Sequence, residues 1–283
     1  MFTKIKRWCK SPLFTEAVMG GALLLVAVIA LIAVFVGTDP KPQPAAPTAT
    51  TAAPTEPTNP SPLAANPLKP TDFVKSGNFI TCTAAPSVVG IDVSEHQTEI
   101  DWQQVKAAGV DFVMIRVGWQ GYTQGALFAD SLAQTHYAGA KAAGLKVGAY
   151  IFSQAITPEE GAGNAAFLLE QIASWQIDMP LVINWEHMGD ENRTTDVNAR
   201  QLTDITKAFC DAVAKAGHTP MVYFNADLAF GRMQLEELAD YGFWFAQYAE
   251  QLNFPYKVQM WQYTATGSVP GVTGDVDIDL YFP

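Results

Sequence analysis

The sequence predicts an α/β fold, an irregular TIM-like (β/α) barrel with fewer helices towards its C-terminal strands. Three observations carry this reading. Short runs rich in β-branched and aromatic residues alternate with runs of helical period from position 88 onward. The strand-like runs are apolar almost throughout, the pattern of a parallel sheet covered on its outer face. The last third turns strand-rich, so the closing strands lack helices of their own.

In chain order, Val88–Val93 reads as a strand. Asp101–Ala108 reads as a short helix stopped by Gly109. Asp111–Val117 is a strand, Ser131–Ala143 a helix stopped by Gly144, and Leu145–Phe152 a strand. Pro158–Trp175 is a helix with proline suitably placed in its first turn. Leu181–Trp185 is a strand. In Val197–Ala216 the residues Leu202, Ile205, Phe209, Ala212 and Ala216 recur at steps of three and four, so they line one helix face. Gly217 ends that helix. Met221–Phe224 is a strand, and a helical piece at Gln234–Asp240 leads to the strand Phe243–Gln247. Lys257–Tyr263 and Val276–Tyr281 are the closing strands.

The region ahead of this domain has a different composition. Lys4, Lys6, Arg7 and Lys10 precede Ala17–Val36, twenty residues without a charge. As a helix that run is about 30 Å long, the thickness of a bilayer core. The expectation is therefore a basic cytoplasmic tail (1–16), a single membrane-crossing helix (17–37) and an extracellular remainder. A cleaved signal peptide is the alternative, although Val34–Gly37 is not an Ala-x-Ala-like site. Ten of the eighteen prolines fall between 38 and 70. Proline lacks an N–H and fixes φ, so 38–71 reads as an extended spacer. Residues 72–86 read as a docking segment of undetermined order, and 87–283 as the globular domain.

The charge excludes some partners. The chain carries a formal charge of −11, and residues 86–283 alone hold 10 basic and 24 acidic residues. Nucleic acid phosphates would repel such a domain. Three cysteines are too few for a disulfide scaffold. Cys82 and Cys210 would share the extracellular side, so a disulfide between them is open; otherwise Cys210 is a small apolar residue beside its helix's buried stripe. The histidines show no HExxH or similar spacing, and neither a nucleotide-binding glycine loop nor a Gly-x-Ser-x-Gly elbow occurs, so no metal or cofactor is expected. Oligomeric state is not legible.

In barrels of this kind the site forms where strands end. Alternation puts Asp92 and Ser94 on the face opposite Ile91 and Val93, and Asn184 and Glu186 on the face opposite Ile183 and Trp185. Asp275, Asp277 and Asp279 share one face of the last strand. Any one of these acids alone could be a solvated loop residue. Three strand ends converging on one mouth point to a site of crowded carboxylates, whose mutual repulsion raises their pKa values. A protonated carboxyl beside ionised ones suits glycoside cleavage. Aromatics gather near the same ends, and Tyr150, Tyr223, Tyr248 and Trp261 are the candidates for stacking on sugar rings, with core packing as the alternative.

The motifs Gly90-Ile91-Asp92-Val93-Ser94-Glu95-His96-Gln97, Ile100-Asp101-Trp102, Phe112 to Gly118, Gly144 to Tyr150, Asn184-Trp185-Glu186, Trp261-Gln262-Tyr263-Thr264 and Val269-Pro270-Gly271 come in an order and at spacings that resemble the glycoside hydrolase family 25 lysozymes. The resemblance spans most of 88–283. It implies an irregular barrel and cleavage of the β-1,4 bond between N-acetylmuramic acid and N-acetylglucosamine in peptidoglycan. It also implies Glu186 as general acid, Asp92 and Asp277 as supporting carboxylates, and a retaining route in which the sugar's own acetamide attacks. The sequence departs from the family at Asn184, where the family's Asp-x-Glu has its first Asp. Asn keeps the shape and can accept a hydrogen bond, but supplies no negative charge. The expectation is a membrane-anchored extracellular muramidase, with peptidoglycan and the membrane as partners. The rivals are a catalytically weakened or silent peptidoglycan-binding module and a glycosidase acting on chitin-like chains.

Overall fold

The structure is a computed structural model that describes residues 63–189 and 191–283. The predicted basic tail, the membrane-crossing helix at 17–37 and the spacer as far as residue 62 lie outside the described residues. Among the described residues no helix is long and apolar enough to cross a membrane.

The elements run β1 (Phe73–Ser76), β2 (Phe79–Cys82), β3 (Val88–Val93), α1 (Trp102–Ala107), β4 (Phe112–Gln120), β5 (Leu127–Ala129), α2 (Ala133–Ala142), β6 (Lys146–Ser153), α3 (Pro158–Gln171), β7 (Leu181–Trp185), α4 (Ala199–Lys215), β8 (Pro220–Asn225), β9 (Gly242–Ala246), β10 (Met260–Gly267) and β11 (Val276–Tyr281). A π-helical turn at Leu228–Arg232 and a 3-10 turn at Leu235–Leu238 replace a full helix between β8 and β9. Among the described residues no helix follows β9 or β10. Local signals explain the helix starts. Asp101, Thr157 and Asn198 cap α1, α3 and α4 by accepting backbone N–H bonds. Each such cap contributes about 1 kcal/mol. Gly217 follows α4 at φ +85°, a left-handed conformation that a side chain would strain.

Eight strands close into a barrel in the order β3-β11-β10-β9-β8-β7-β6-β4, with β4 returning to pair with β3. β11 runs antiparallel to both β10 and β3. The other pairings around the barrel are parallel. β5 lies outside the ring, antiparallel to the end of β4. Alternation along the strands makes two cores. Phe112, Met114, Val182, Met221, Trp244 and Met260 plug the barrel interior. Ile91, Val113, Ile115, Leu168, Leu202 and Phe209 belong to the layer between barrel and helices.

The outer face of β10 and β11 has no helix of its own, and the N-terminal hairpin covers it. β1 and β2 pair antiparallel. Phe73 packs edge-on against Trp261 at 5.0 Å and against Phe282 at 6.4 Å. The Ile80 N–H donates to the Tyr263 hydroxyl (3.3 Å). Residues ahead of the hairpin also dock: the Asn66 N–H donates to the Pro255 carbonyl and the Lys257 N–H to the Ala64 carbonyl, each at 2.8 Å.

This arrangement corrects one expectation. Trp261 is fully buried and faces outward under the hairpin, where its Nε1–H donates to the Gln247 carbonyl (2.8 Å). The pleat decides this: Met260 and Gln262 take the inward positions on β10, so Trp261 and Tyr263 point out. Cys82 and Cys210 are both free thiols, so the open disulfide is absent.

The hairpin's contribution can be measured. Phe73→Ala removes a buried aromatic ring from the contact with Trp261 and should cost about 3 kcal/mol in urea denaturation. Val74→Ala, at an exposed position of the same strand, should change stability by less than about 0.5 kcal/mol.

Candidate active site

The barrel interior is apolar for most of its depth and turns polar at one end. The parallel strands β3 and β7 reach that end with their C-termini, delivering Asp92, Asn184 and, one residue past β7, Glu186. β11 is reversed and reaches it with its N-terminus, so Asp277, near the strand's start, lies directly opposite Asp92 in register. These residues line a cavity of about 210 Å³ with Tyr150, Phe152, Tyr223, Tyr248, Arg116 and Gln262 among its other walls. A larger crevice of about 740 Å³ lies behind the loop that follows β3. Its Asp101 caps α1 and its His136 contacts the Ser94 carbonyl, whereas Asp92, Glu186 and Asp277 all line the smaller cavity.

A hydrogen-bond relay fixes the floor. Gln262 Nε2 donates to Asp92 Oδ2 at 2.7 Å. Gln262 Oε1 accepts from the Tyr223 hydroxyl (2.9 Å) and from the Tyr248 hydroxyl (3.2 Å). Tyr150 also donates to Asp92. Deeper still, Asp279 is fully buried and accepts from Trp244 Nε1 at 2.9 Å, while its Oδ2 has no donor. Asp279 also lies within hydrogen-bonding reach of Asp92. Two carboxylates in such a contact are stabilised by a proton held between them.

The loops around the mouth are tied down separately. The Arg116 side chain donates to the buried Asp130 through both Nε and Nη2, each at 2.9 Å, and Nη2 lies 3.5 Å from Glu95. Asp130 Oδ2 also accepts the Glu95 N–H (3.0 Å), which holds the loop after β3. His136, buried on α2, contacts the Ser94 carbonyl at 3.2 Å from the other side. Gln154 Nε2 donates to the Glu186 carbonyl (2.8 Å) and so fixes the backbone that presents the Glu186 side chain.

The electrostatics follow from crowding in a dry site. Burial, then the charges of Asp277 and Asp279, push Asp92 well above the usual carboxylate range. Burial, then the charge of Asp277, raises Asp279 as well. Asp277 is pushed up to about 6 by burial and then by Glu186, against a hydrogen bond with Asp92 that lowers it. Burial raises Glu186, and a hydrogen bond from the Asn184 side chain pulls it part of the way back. Asn184 Oδ1 is itself buried and has no partner. The pocket thus gathers three carboxyls of raised proton affinity and one buried acceptor, Asn184 Oδ1, beside them.

The structure brings Asp92, Asn184, Glu186, Asp277, Tyr150, Tyr223 and Tyr248 to one cavity and leaves Trp261 outside it. Sequence reasoning passed over Gln262, Arg116 and Phe152. Alternation could have found Gln262, since it sits between two apolar aromatics on a strand with an apolar outer face. The Arg116 role depends on Asp130, fourteen residues away, and had no local signal.

Raised carboxylates make stability depend on pH with a defined sign. Asp277 has a folded pKa near 6 and an ordinary value of 3.8, so the native state binds the extra proton between these values. Its destabilising effect is absent at acidic pH and grows as pH rises through that window. The protein should therefore be more stable near about pH 5 than near about pH 8, and Asp277→Asn should flatten the difference. Urea midpoints for both proteins across that range check this.

Over 202 residues the chain is 30% identical to Lysozyme M1 of Streptomyces globisporus, covering 67% of this chain and 66% of that protein. Over 193 residues it is 28% identical to the autolytic lysozyme of Clostridium acetobutylicum, covering 68% of this chain and 55% of that one, so it spans only about half of that relative's length. The crystal structure of the bacterial lysozyme from Streptomyces coelicolor superposes with a TM-score of 0.56 at 28% identity, covering 69% of this chain and 91% of that chain. The model of the glycosyl hydrolases family 25 matches residues 91–272, from within β3 through β10 to a point short of β11, and the chain belongs to that family.

Proposed function

We propose that the protein is a membrane-anchored, extracellular peptidoglycan hydrolase that cleaves the β-1,4 bond between N-acetylmuramic acid and N-acetylglucosamine, with Glu186 as general acid. The observation that carries the reading is the Glu186 carboxyl, its proton affinity raised by burial, in a cavity shared with the hydrogen-bonded acids Asp92 and Asp277. Membership of the family and its lysozyme relatives support the substrate class. The anchor rests on the uncharged run Ala17–Val36 behind a basic cluster, and the proline-rich spacer would let the domain reach the wall.

In this mechanism the protonated Glu186 gives its proton to the bridging oxygen as the C1–O bond breaks. The acetamide oxygen of the same sugar bonds to C1 and forms a cyclic oxazolinium ion. The Asp277 carboxylate, held by a hydrogen bond with Asp92, supplies the negative charge that stabilises the positive charge at that stage. Glu186, now a carboxylate, takes a proton from water as that water attacks C1, and the acetamide oxygen leaves. Two displacements retain the anomeric configuration. In this mechanism Asn184 Oδ1, a buried acceptor with no partner in the protein, accepts the acetamide N–H and orients the attacking group.

Asn184 also favours a second reading, a module that binds peptidoglycan with weakened or no cleavage. An aspartate there would add charge beside the oxazolinium ion, worth about 2–4 kcal/mol or roughly 10²–10³ in rate. One set of assays separates the two. The purified 283-residue chain should release reducing ends from peptidoglycan, and Glu186→Gln should abolish that release. If wild type sediments with cell wall but releases nothing, and Asn184→Asp restores release, the binding module is the correct reading. Asn184→Asp carries a further signature. A new negative charge replaces the hydrogen bond that lowers Glu186, so its pKa rises and the acid stays protonated to higher pH. The alkaline limb of the pH–rate profile should move upward in that variant.

A further inference from the structure

One wall of the cavity comes from a segment without regular structure. Residues 247–253, which follow β9, form neither helix nor strand. Tyr248 in that segment lines the cavity and is 62% exposed, and its hydroxyl donates to Gln262 Oε1 (3.2 Å). An irregular segment keeps a side chain in place only through bonds to something stiffer.

The stiff partner is β10. The Gln247 N–H donates to the Gln262 carbonyl (3.0 Å) and the Ala249 N–H to the Tyr263 carbonyl (3.1 Å). Trp261 Nε1 donates to the Gln247 carbonyl (2.8 Å), which fixes the peptide unit joining Gln247 to Tyr248. The Gln247 side chain closes the segment by accepting the Asn253 N–H (2.7 Å). The Trp261 indole is therefore a bridge to Tyr248, and whatever orients the indole acts on Tyr248 as well.

The N-terminal hairpin orients it. Phe73 meets Trp261 at 5.0 Å with planes 73° apart, Tyr263 lies 5.5 Å from Trp261, and the Ile80 N–H holds the Tyr263 hydroxyl. Lys75 forms an ion pair with Glu250, in the middle of the segment, at 3.0 Å. Asn66 Nδ2 donates to the carbonyl of Phe254, just past its end (3.0 Å). The strap thus braces the segment at its start, middle and end, although Phe73, Lys75, Trp261 and Glu250 all lie outside the cavity lining. Residues 63–86 precede the stretch 91–272 that the family model matches, so the bracing is read from this chain's own contacts.

We propose that the β1–β2 hairpin is a positioning element for the cavity. Phe73 acts through Trp261, and Lys75 through Glu250, to hold residues 247–253 in the shape that presents Tyr248 to the substrate. The proposal rests on reading the cavity as a glycan site. It makes the part of the chain that leads in from the proposed anchor a determinant of substrate affinity. A hairpin that merely covered the outer face of β10 and β11 would change stability and leave affinity alone.

The test uses the full 283-residue chain and soluble peptidoglycan fragments, under conditions where urea curves show each variant folded. Phe73→Ala should raise KM roughly fivefold with kcat within a factor of about two, the mark of lost binding. Tyr248→Ala should raise KM at least as much, and the double variant should be no worse than Tyr248→Ala alone, because both changes act through one side chain. Phe73→Leu, which keeps apolar bulk against the indole, should recover most of the loss. Lys75→Glu leaves the core untouched and faces Glu250 with a like charge. It should raise KM about twofold, and adding Glu250→Lys should reverse this. Amide hydrogen exchange should quicken in 247–253 of Phe73→Ala and stay unchanged at 181–186. Lost stability with KM unchanged, or KM effects of Phe73→Ala and Tyr248→Ala that multiply, would overturn the proposal and leave the glycan site standing. If the parent binds wall fragments without cutting them, the same comparisons are read as Kd. If it neither binds nor cuts, the glycan reading fails and the positioning role fails with it.

Discussion

The reversed direction of β11 is the constraint on which the site depends. Inserted antiparallel between β10 and β3, it closes the ring and turns the chain so that its first residues, not its last, arrive at the mouth. Asp277 therefore meets Asp92 across a ladder of backbone hydrogen bonds, and Asp279 sits one layer deeper. A parallel β11 would send both acids to the opposite end of the barrel. The separation of these carboxylates is thus a property of backbone register, which is far stiffer than the rotamers of long side chains.

The site also shows how polar groups are kept in a protein interior. Below the mouth, Phe112, Met114, Met221 and Met260 fill the barrel without polar atoms that need partners, and Trp244 spends its one N–H on Asp279. Above them, Asp92, Gln262, Tyr150, Tyr223 and Tyr248 form a connected network. Burying carboxylates costs free energy unless donors or shared protons compensate. Here Gln262, Tyr150 and Trp244 donate to the buried carboxylates, and what remains uncompensated is stored as raised proton affinity.

Much of this was legible in the sequence. The bounds of β3, β7 and β11 coincide with the predicted Val88–Val93, Leu181–Trp185 and Val276–Tyr281, because each is a short apolar run with clear edges. Alternation within them placed Asp92, Asn184, Glu186 and Asp277 on the inward face. Strand direction was not legible, since a period of two is the same read either way. Trp261 misled because an aromatic near a strand end suggests a sugar platform, and only the hairpin, unseen in a short and partly polar segment, explains why a tryptophan should face outward there. β5 was equally hidden: three residues carry too little pattern. Gln262 and Arg116 act through partners distant in the chain, Asp92 and Asp130, which no local reading connects.

The docked segment ahead of the barrel has a mechanical meaning. Residues 64–66 are fastened to 254–257, and the hairpin behind them shields Trp261 and Phe282. Tension entering along the chain at residue 63 must first strip these contacts before it can tug on β3. The barrel thus carries a strap upstream of its first strand whose contacts all lie outside the residues that line the cavity.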